Sequence, residues 1–136
     1  MLEKIQYKDL NARQKENYNF HKVAALLAEF GYNCLRLNDD WEGADFIALH
    51  KDGIGHLKVQ LKGRLTLDRK YIKKDIFVAF TQDDVWYLYP HDELMEKVVK
   101  IGLITGTKSW EEHGAYSWPN VPKSLVSVLK RYQIHV

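Results

Sequence analysis

The sequence predicts an α+β fold in which a central mixed β-sheet is flanked by helices. A helix comes first, because apolar residues recur at steps of three and four and define one buried face: Phe20, Val23, Ala24, Leu27 and Phe30. Several short, strand-like runs separated by turn residues follow it. A second apolar stripe near the C-terminus predicts a last helix. At 136 residues the chain fits one domain, so residues 1–136 are predicted to fold as a single unit.

The first helix is predicted from about Asn11 to Phe30. Asn11 pairs with Gln14 three residues later as a capping pair, and Gly31 is a natural C-terminal stop. The Asn38-Asp39-Asp40 run indicates a turn, and residues 102–119 give no readable pattern. The predicted strands are 33–37, 44–49, 56–62, 76–80 and 85–89, with a polar stretch over 63–75. The remaining predicted helices are 92–101 and one that starts at Pro122.

Composition excludes several classes of protein. No apolar run approaches the roughly 20 residues that a membrane helix requires, and the N-terminus lacks the apolar centre of a signal peptide. The lone Cys34 allows no internal disulfide and no zinc-finger spacing, which favours the reducing cytoplasm. No glycine-rich phosphate loop, nucleophile elbow or HExxH motif is present, so no organic cofactor is expected.

Positive charge is concentrated in one part of the chain. The net charge is only +2, which does not by itself indicate nucleic acid. Between residues 58 and 74, however, seven basic residues accompany one acid, Asp68, and a field of that sign attracts polyanions. A solvated strand edge and loop would give the same pattern, so both interpretations stay open. The basic residues are Lys58, Lys62, Arg64, Arg69, Lys70, Lys73 and Lys74.

The third predicted strand has one apolar and one polar face. Gln60 and Lys62 are two positions apart on the polar face, so their side chains project the same way about 6–7 Å apart. Asp45 begins the preceding strand. If the two strands are antiparallel neighbours, the start of one lies beside the end of the other. Asp45 is then expected near Gln60 and Lys62 at the same rim of the sheet.

An oxygen-rich rim of this kind suits Mg²⁺, which takes one or two carboxylates and keeps several waters. We expect Asp45 to supply the anionic ligand, Gln60 its amide oxygen and Leu61 its backbone carbonyl. A bound metal lowers the pKa of water, and Lys62 would stabilise the developing negative charge. Glu16 precedes Phe20 by four residues and so faces the sheet, where a metal or Lys62 would satisfy it. An ordinary surface glutamate is the alternative interpretation.

The run GADFIAL over residues 43–49, a turn, and LKVQLK over residues 57–62 resembles the active-site hairpin of the PD-(D/E)XK nuclease superfamily. The resemblance covers about residues 12 to 90 and implies a restriction-endonuclease-like core. On residue types Asp45 matches the first acid of the motif and Lys62 its lysine, while Glu16 matches an acid of the first helix. Gln60 stands where most members carry Asp or Glu, as in Mrr-like members, and Ala44 replaces the usual proline.

The resemblance implies a metal-dependent endonuclease that hydrolyses phosphodiester bonds in DNA with Mg²⁺ or Mn²⁺, and by analogy a homodimer. Two alternatives remain open. Gln60 favours a catalytically inactive DNA-binding or complex-assembly module of a mobile-element or DNA-processing system. An unrelated α+β interaction protein, in which QLK is a solvated strand face, would bind neither metal nor DNA. The candidate nucleic-acid contacts are Lys58, Arg64, Arg69, Lys70, Lys73 and Lys74.

Overall fold

A computed structural model describes all 136 residues as four α-helices and seven strands. Two short 3-10 turns, Tyr7–Asp9 and Arg69–Tyr71, complete the regular structure. The helices are α1 (Ala12–Ala28), α2 (His91–Ile101), α3 (Lys108–His113) and α4 (Lys123–Lys130). The strands are β1 (Tyr32–Trp41), β2 (Ala44–His50), β3 (His56–Leu61), β4 (Leu65–Asp68), β5 (Ile76–Gln82), β6 (Val85–Pro90) and β7 (Ala115–Trp118).

Helix α1 begins with the predicted capping box. The Asn11 side chain accepts from the backbone N–H of Gln14, and the Gln14 side chain accepts from that of Asn11. The helix ends at Ala28, and Gly31 then adopts a φ of 86°. Because the helix ends before Phe30, that side chain is 46% exposed. Its predicted place on the buried face is therefore wrong.

The central sheet has five strands in the order β1-β2-β3-β5-β6. Strands β3 and β5 run parallel, whereas every other neighbouring pair is antiparallel. The parallel pair needs a crossover, which the chain makes through β4 and the following 3-10 turn. The predicted α+β fold with a mixed sheet is confirmed.

Two apolar layers cover the two faces of this sheet. On one face α1 buries Phe20, Val23 and Leu27 against a cluster that includes Phe46 and Val59. The opposite face carries the larger cluster, to which β4, α2, α3 and α4 all contribute. The sheet therefore lies between α1 and a second layer of helices and short strands, and its rim stays accessible.

A wide bulge interrupts the hairpin of β1 and β2. The Cα partners are regular up to Arg36 and Phe46, and pairing resumes at Trp41 and Ala44. Residues 37–40 thus lie opposite the single residue Asp45. The predicted turn at Asn38-Asp39-Asp40 is wrong, because these residues form the bulge within β1. The actual turn is Glu42-Gly43, both at positive φ (52° and 88°), as a two-residue hairpin requires.

The C-terminal half contains elements that the sequence does not reveal. The polar stretch over 63–75 includes β4, which pairs with β7 in a separate two-stranded sheet. Helix α3 and β7 occupy the region 102–119 that gave no readable pattern. None of the helices has the length and apolar character that crossing a membrane would require.

Candidate active site

Asp45 is the second residue of β2, directly after the Glu42-Gly43 turn. The antiparallel register of β2 and β3 pairs Phe46 with Val59, and one further step would set Asp45 opposite Gln60. Opposed residues of an antiparallel pair project to the same face of a sheet. The structure thus brings the start of β2 beside the end of β3, as the sequence predicts.

The Asp45 side chain bonds to the backbone of β3. Its Oδ2 accepts a hydrogen bond of 2.8 Å from the N–H of Leu61. A side-chain oxygen here satisfies an N–H at the strand end, beyond the last paired residues of β2 and β3. This bond holds the Asp45 carboxylate beside Leu61, the residue that precedes Lys62 in the chain.

The surroundings of Asp45 disfavour its negative charge. Burial raises the pKa of the Asp45 carboxyl above its ordinary value, the Leu61 N–H opposes this, and Glu16 raises it further. The Lys62 ammonium lowers that pKa, and Asp40 adds a smaller increase. Glu16 and Asp40 thus disfavour the ionised form of Asp45, and the Lys62 ammonium favours it. A cation bound beside Asp45 would favour the ionised form in the same way.

Glu16 lies at the same rim but has a different partner from the one predicted. Its carboxylate pairs with the Arg36 guanidinium at 3.0 Å, and its side chain is 50% exposed. Arg36 also hydrogen-bonds to Asn17 and lies over the ring of Phe20 at 5.4 Å. The expected pairing of Glu16 with Lys62 is therefore wrong, because Arg36 of β1 neutralises it.

A polar cleft of about 240 Å³ joins these groups. Leu37 is its only apolar lining residue, and the rest of the lining comes from α1, the bulge of β1 and the start of β2. The bulge explains this composition, because it directs its polar side chains around Asp45 instead of continuing the sheet. The lining residues are Arg13, Glu16, Arg36, Leu37, Asn38, Asp39, Asp40 and Asp45.

Lys62 lies immediately beyond β3. Its backbone N–H donates to the carbonyl of Ala79 on β5 at 2.9 Å, which fixes the main chain at this point. Its Nζ lies 5.5 Å from the ring centre of Tyr71. Burial lowers the pKa of Lys62, and Lys70 lowers it further, whereas Asp68 and Asp45 oppose the change. The ammonium is therefore half-buried at the rim on which Asp45 lies.

Gln60 lies on the polar side of β3. Its neighbour Val59 belongs to the cluster beneath α1, so strand alternation directs Gln60 to the opposite face. There its Cα partner on β5 is Val78, and the side chain is half-buried. Gln60 supplies no charge, and no three His, Cys, Asp or Glu side chains come together as a metal site. A cation at this rim would need oxygens from the amide, the backbone, water or substrate.

The predicted nucleic-acid contacts fall into two groups. Lys58, Lys73 and Lys74 line a shared cleft of about 350 Å³ with Glu42 and Asp75. The Nζ of Lys58 already pairs with Glu42 at 3.2 Å, and its side chain is only 14% exposed.

The second group lies around the 3-10 turn. Arg69 pairs with Glu111 at 3.6 Å, and Lys70 pairs with Asp68 at 3.8 Å. Arg64 is exposed and has no ion pair. Acids close in space thus offset much of the positive charge of residues 58–74. For Lys58 and Arg69 these acids, Glu42 and Glu111, are distant in sequence.

Sequence reasoning missed several residues of this site. Asp39 and Asp40 were assigned to a turn, and Arg36 was not singled out. The signal for the acids was present, because two consecutive aspartates precede the GADFIAL strand by only a few residues.

No protein-family model matches the sequence. No curated protein matches it either. Among solved structures, one similar in fold is Hjc, a Holliday junction resolvase from the archaeal hyperthermophile Archaeoglobus fulgidus. Its TM-score is 0.47 and its identity 17%, over 57% of this chain and 74% of that chain. Another is the bacterial homing endonuclease I-Ssp6803I, with a TM-score of 0.44 and 15% identity, over 91% of this chain and 88% of that chain.

The topology of the chain positions the candidate site. A helix precedes an antiparallel hairpin that holds Asp45 and Gln60, and a parallel strand then lies beside β3. This is the mixed sheet flanked by helices that the sequence predicts. Such a fold fixes where its rim lies in the sheet but not what reaction occurs there.

Proposed function

We propose that the protein is a metal-dependent endonuclease that hydrolyses phosphodiester bonds in DNA. One observation carries the proposal: the Asp45 carboxylate is bonded to the N–H of Leu61, directly before Lys62. This bond holds the acid beside the end of β3, and Lys62 is the next residue along the chain. Phosphodiester hydrolysis is assisted by a cation that binds the anionic substrate and by a fixed positive charge near the phosphorus.

The oxygen donors at the rim suit a hydrated Mg²⁺ or Mn²⁺ ion. Asp45, Gln60 and the backbone carbonyl of Leu61 are the residues that would hold it. When bound, such an ion supplies a water of lowered pKa and neutralises charge on the phosphate. Because Gln60 is neutral, we expect weaker affinity for the ion than a second carboxylate would give. Glu16 acts as an accessory acid, and its pairing with Arg36 keeps it at the edge of the cleft.

Lys62 provides the fixed positive charge. Its backbone is held to β5 and its ammonium is half-buried, so the charge stays at the rim without the substrate. A preorganised cation in a partly water-excluded place stabilises developing negative charge more than a solvated one does. We propose that the Lys62 ammonium contacts the phosphoryl oxygens of the scissile phosphodiester.

DNA is the proposed partner. Lys73, Lys74 and Arg64 are exposed cations available to backbone phosphates. Phosphate contacts of this kind position a duplex without reading its sequence. A homodimer would extend the reach of so small a chain along DNA. The dimer and the reducing cytoplasm suggested by the lone Cys34 both stay predictions.

A catalytically inactive DNA-binding or complex-assembly module is the second candidate. Two observations favour it: Gln60 replaces an acid, and no three potential metal-ligating side chains converge. The same fold and the same exposed cations would then serve binding alone. This candidate predicts that the protein retards DNA in a gel and cleaves no strand in the presence of any divalent ion.

A plasmid-nicking assay tests the proposal. Purified protein is incubated with supercoiled plasmid and Mg²⁺ or Mn²⁺, and with EDTA as the blank. We expect nicking by the wild type and its loss in Asp45→Ala and Lys62→Ala. Glu96→Ala and Lys100→Ala are matched controls, since both side chains are exposed on α2 and lie outside the site. These controls should nick at the wild-type rate.

The outcomes separate the two candidates. Wild type that retards DNA but never nicks supports the inactive module. Nicking that persists unchanged in Asp45→Ala and Lys62→Ala would show that a contaminating nuclease or another site is responsible. Loss of DNA retention only when Lys73 and Lys74 are replaced together, with nicking of short substrates retained, would assign these lysines to binding.

A further inference from the structure

Tyr71 is a buried aromatic residue at the base of the candidate site. It ends the 3-10 turn Arg69–Tyr71 and is only 2% exposed. The Nζ of Lys62 lies 5.5 Å from its ring centre, and the Nζ of Lys70 lies 5.2 Å from the same centre. Both distances are within the range in which an ammonium group is attracted to an aromatic ring.

The ring of Tyr71 is fixed by its other neighbours. His91 packs edge-on against it, with ring centres 5.5 Å apart. His91 is completely buried, and its Nε2 accepts the N–H of Asp68 at 2.9 Å. On the other side, a Cβ on Gly43 would lie 3.3 Å from the Tyr71 ring, so the β1–β2 turn also packs closely on it. The ring therefore cannot turn away from the rim without moving these neighbours.

The acids of the site lie close enough to Tyr71 to act on its hydroxyl. Burial raises its pKa, and Asp68, Asp45 and Asp40 raise it further. The hydroxyl bonds to no protein atom, yet it is not among the fully buried polar atoms left without a partner. Solvent therefore reaches the hydroxyl. Tyr71 therefore lies beside the site as well as in the core.

We propose that Tyr71 is a positioning residue whose ring holds the ammonium of Lys62 at the rim beside Asp45. The inference rests on the proposed nuclease function and deepens it. A lysine has a flexible four-carbon stem, and a half-buried ammonium needs a partner to keep one direction. None of the ion pairs in the structure includes Lys62, so the fixed ring is the group that sets its direction.

Ring electronics can be changed without changing ring size. Tyr71→Phe removes the hydroxyl and keeps the ring. Phenylalanine analogues with two, three or five ring fluorines at position 71 then weaken the attraction for cations while the packing against His91 and Gly43 is kept. Tyr71→Leu removes the ring entirely but leaves a cavity in the core, so its folding must be checked by circular dichroism.

The first measurement does not depend on catalysis. Each lysine is labelled with an amine-reactive reagent, and its rate of modification is followed by mass spectrometry. We expect Lys62 to react at the wild-type rate in Tyr71→Phe and roughly threefold to tenfold faster in the most fluorinated protein. The exposed Lys100 on α2 is the internal control and should react equally in all variants.

The second measurement is the nicking assay. We expect kcat in Tyr71→Phe to stay near wild type and to fall stepwise with fluorine content, by roughly tenfold at the end of the series. KM should change little, because DNA contacts outside the rim are unaltered. A purely structural role for Tyr71 would leave this series flat, since the folded packing is the same throughout.

The two measurements distinguish the possible failures. If the wild type never nicks, the proposed function fails, but lysine labelling still decides the role of Tyr71. If Lys62 labels equally across the fluorinated series, the ring does not hold the ammonium and the inference is overturned. If Tyr71→Phe loses as much activity as the most fluorinated protein, the hydroxyl carries the role, which also overturns it.

Discussion

Asp45→Asn should abolish nicking and at the same time stabilise the protein in the absence of metal. The folded state raises the pKa of the Asp45 carboxyl, chiefly by burial and with repulsion from Glu16 and Asp40. The folded chain therefore binds this proton more tightly than the unfolded chain does. The resulting loss of stability is absent at pH values below the pKa of Asp45 in the unfolded chain, and it is complete once the pH exceeds the pKa of Asp45 in the folded chain. At pH 7 the ionised carboxylate thus destabilises the fold.

The expected change in stability depends on whether the substitution keeps a hydrogen-bond acceptor at position 45. An asparagine removes the charge, and its amide oxygen still accepts the Leu61 N–H that now bonds to Oδ2 at 2.8 Å. We expect a gain of about 0.5 to 1 kcal/mol, discounted for the solvent that reaches this half-buried group. Asp45→Ala also removes the acceptor, and the N–H left without a partner costs about 1 to 2 kcal/mol. The two variants should therefore differ by about that amount.

Urea unfolding with EDTA present measures these differences. At pH 7 the expected order of stability is Asp45→Asn, then wild type, then Asp45→Ala. The advantage of the asparagine variant over wild type should vanish below about pH 4, where Asp45 is protonated. Adding Mn²⁺ should stabilise only the wild type, because binding to the folded state alone raises its stability.

A different order would refute this reasoning. If Asp45→Asn is as unstable as Asp45→Ala at pH 7, the carboxylate stabilises the fold as an anion. The negative charge of the cleft would then be compensated in the apo protein, and the argument for cation binding at Asp45 would fail. Equal stabilisation of all three proteins by Mn²⁺ would place the ion elsewhere.

Three further predictions concern single residues. Gln60→Glu adds a carboxylate beside Asp45 and should lower the Mn²⁺ concentration for half-maximal nicking by roughly tenfold; an unchanged metal titration would contradict the placement of residue 60. Burial raises the pKa of Cys34 from 9.0 to about 11, so at pH 8 the folded protein contains about a hundredfold less of its thiolate than the unfolded protein does. Because the thiolate is the reacting form, Cys34 should react with a disulfide reagent about a hundredfold more slowly in the folded protein than in urea. His91→Phe leaves the Asp68 N–H without an acceptor and should cost about 1 to 3 kcal/mol in urea unfolding, whereas a loss under 0.5 kcal/mol would mean that solvent replaces the ring.

The part of the site that is local in sequence could be predicted from the residues. Strand β3 alternates cleanly, and only residues 51–55 separate it from β2, so the antiparallel pairing of the two strands follows from the pattern. That pairing alone brings Asp45 beside the end of β3. The capping box of α1 is local too and was predicted correctly.

Contacts between residues distant in sequence could not be predicted. Leu65 pairs with Trp118 in a two-stranded sheet whose strands have only four residues each, too short for a clear pattern. Glu16 and Arg36 meet because the register of β1 brings the arginine under α1, which no local signal indicates. The two aspartates of the bulge indicate a turn by composition, and only the resumed pairing at Trp41 shows that the strand continues.

The bulge in β1 separates the chemistry of the rim from the stability of the sheet. Pairing is regular before residue 37 and is restored at Trp41, so the four residues between them carry no part of the ladder. Their number and charge can therefore change while the scaffold on both sides keeps its alignment. A segment outside the ladder and beside a fixed acid would let one architecture take different ion requirements and substrate preferences.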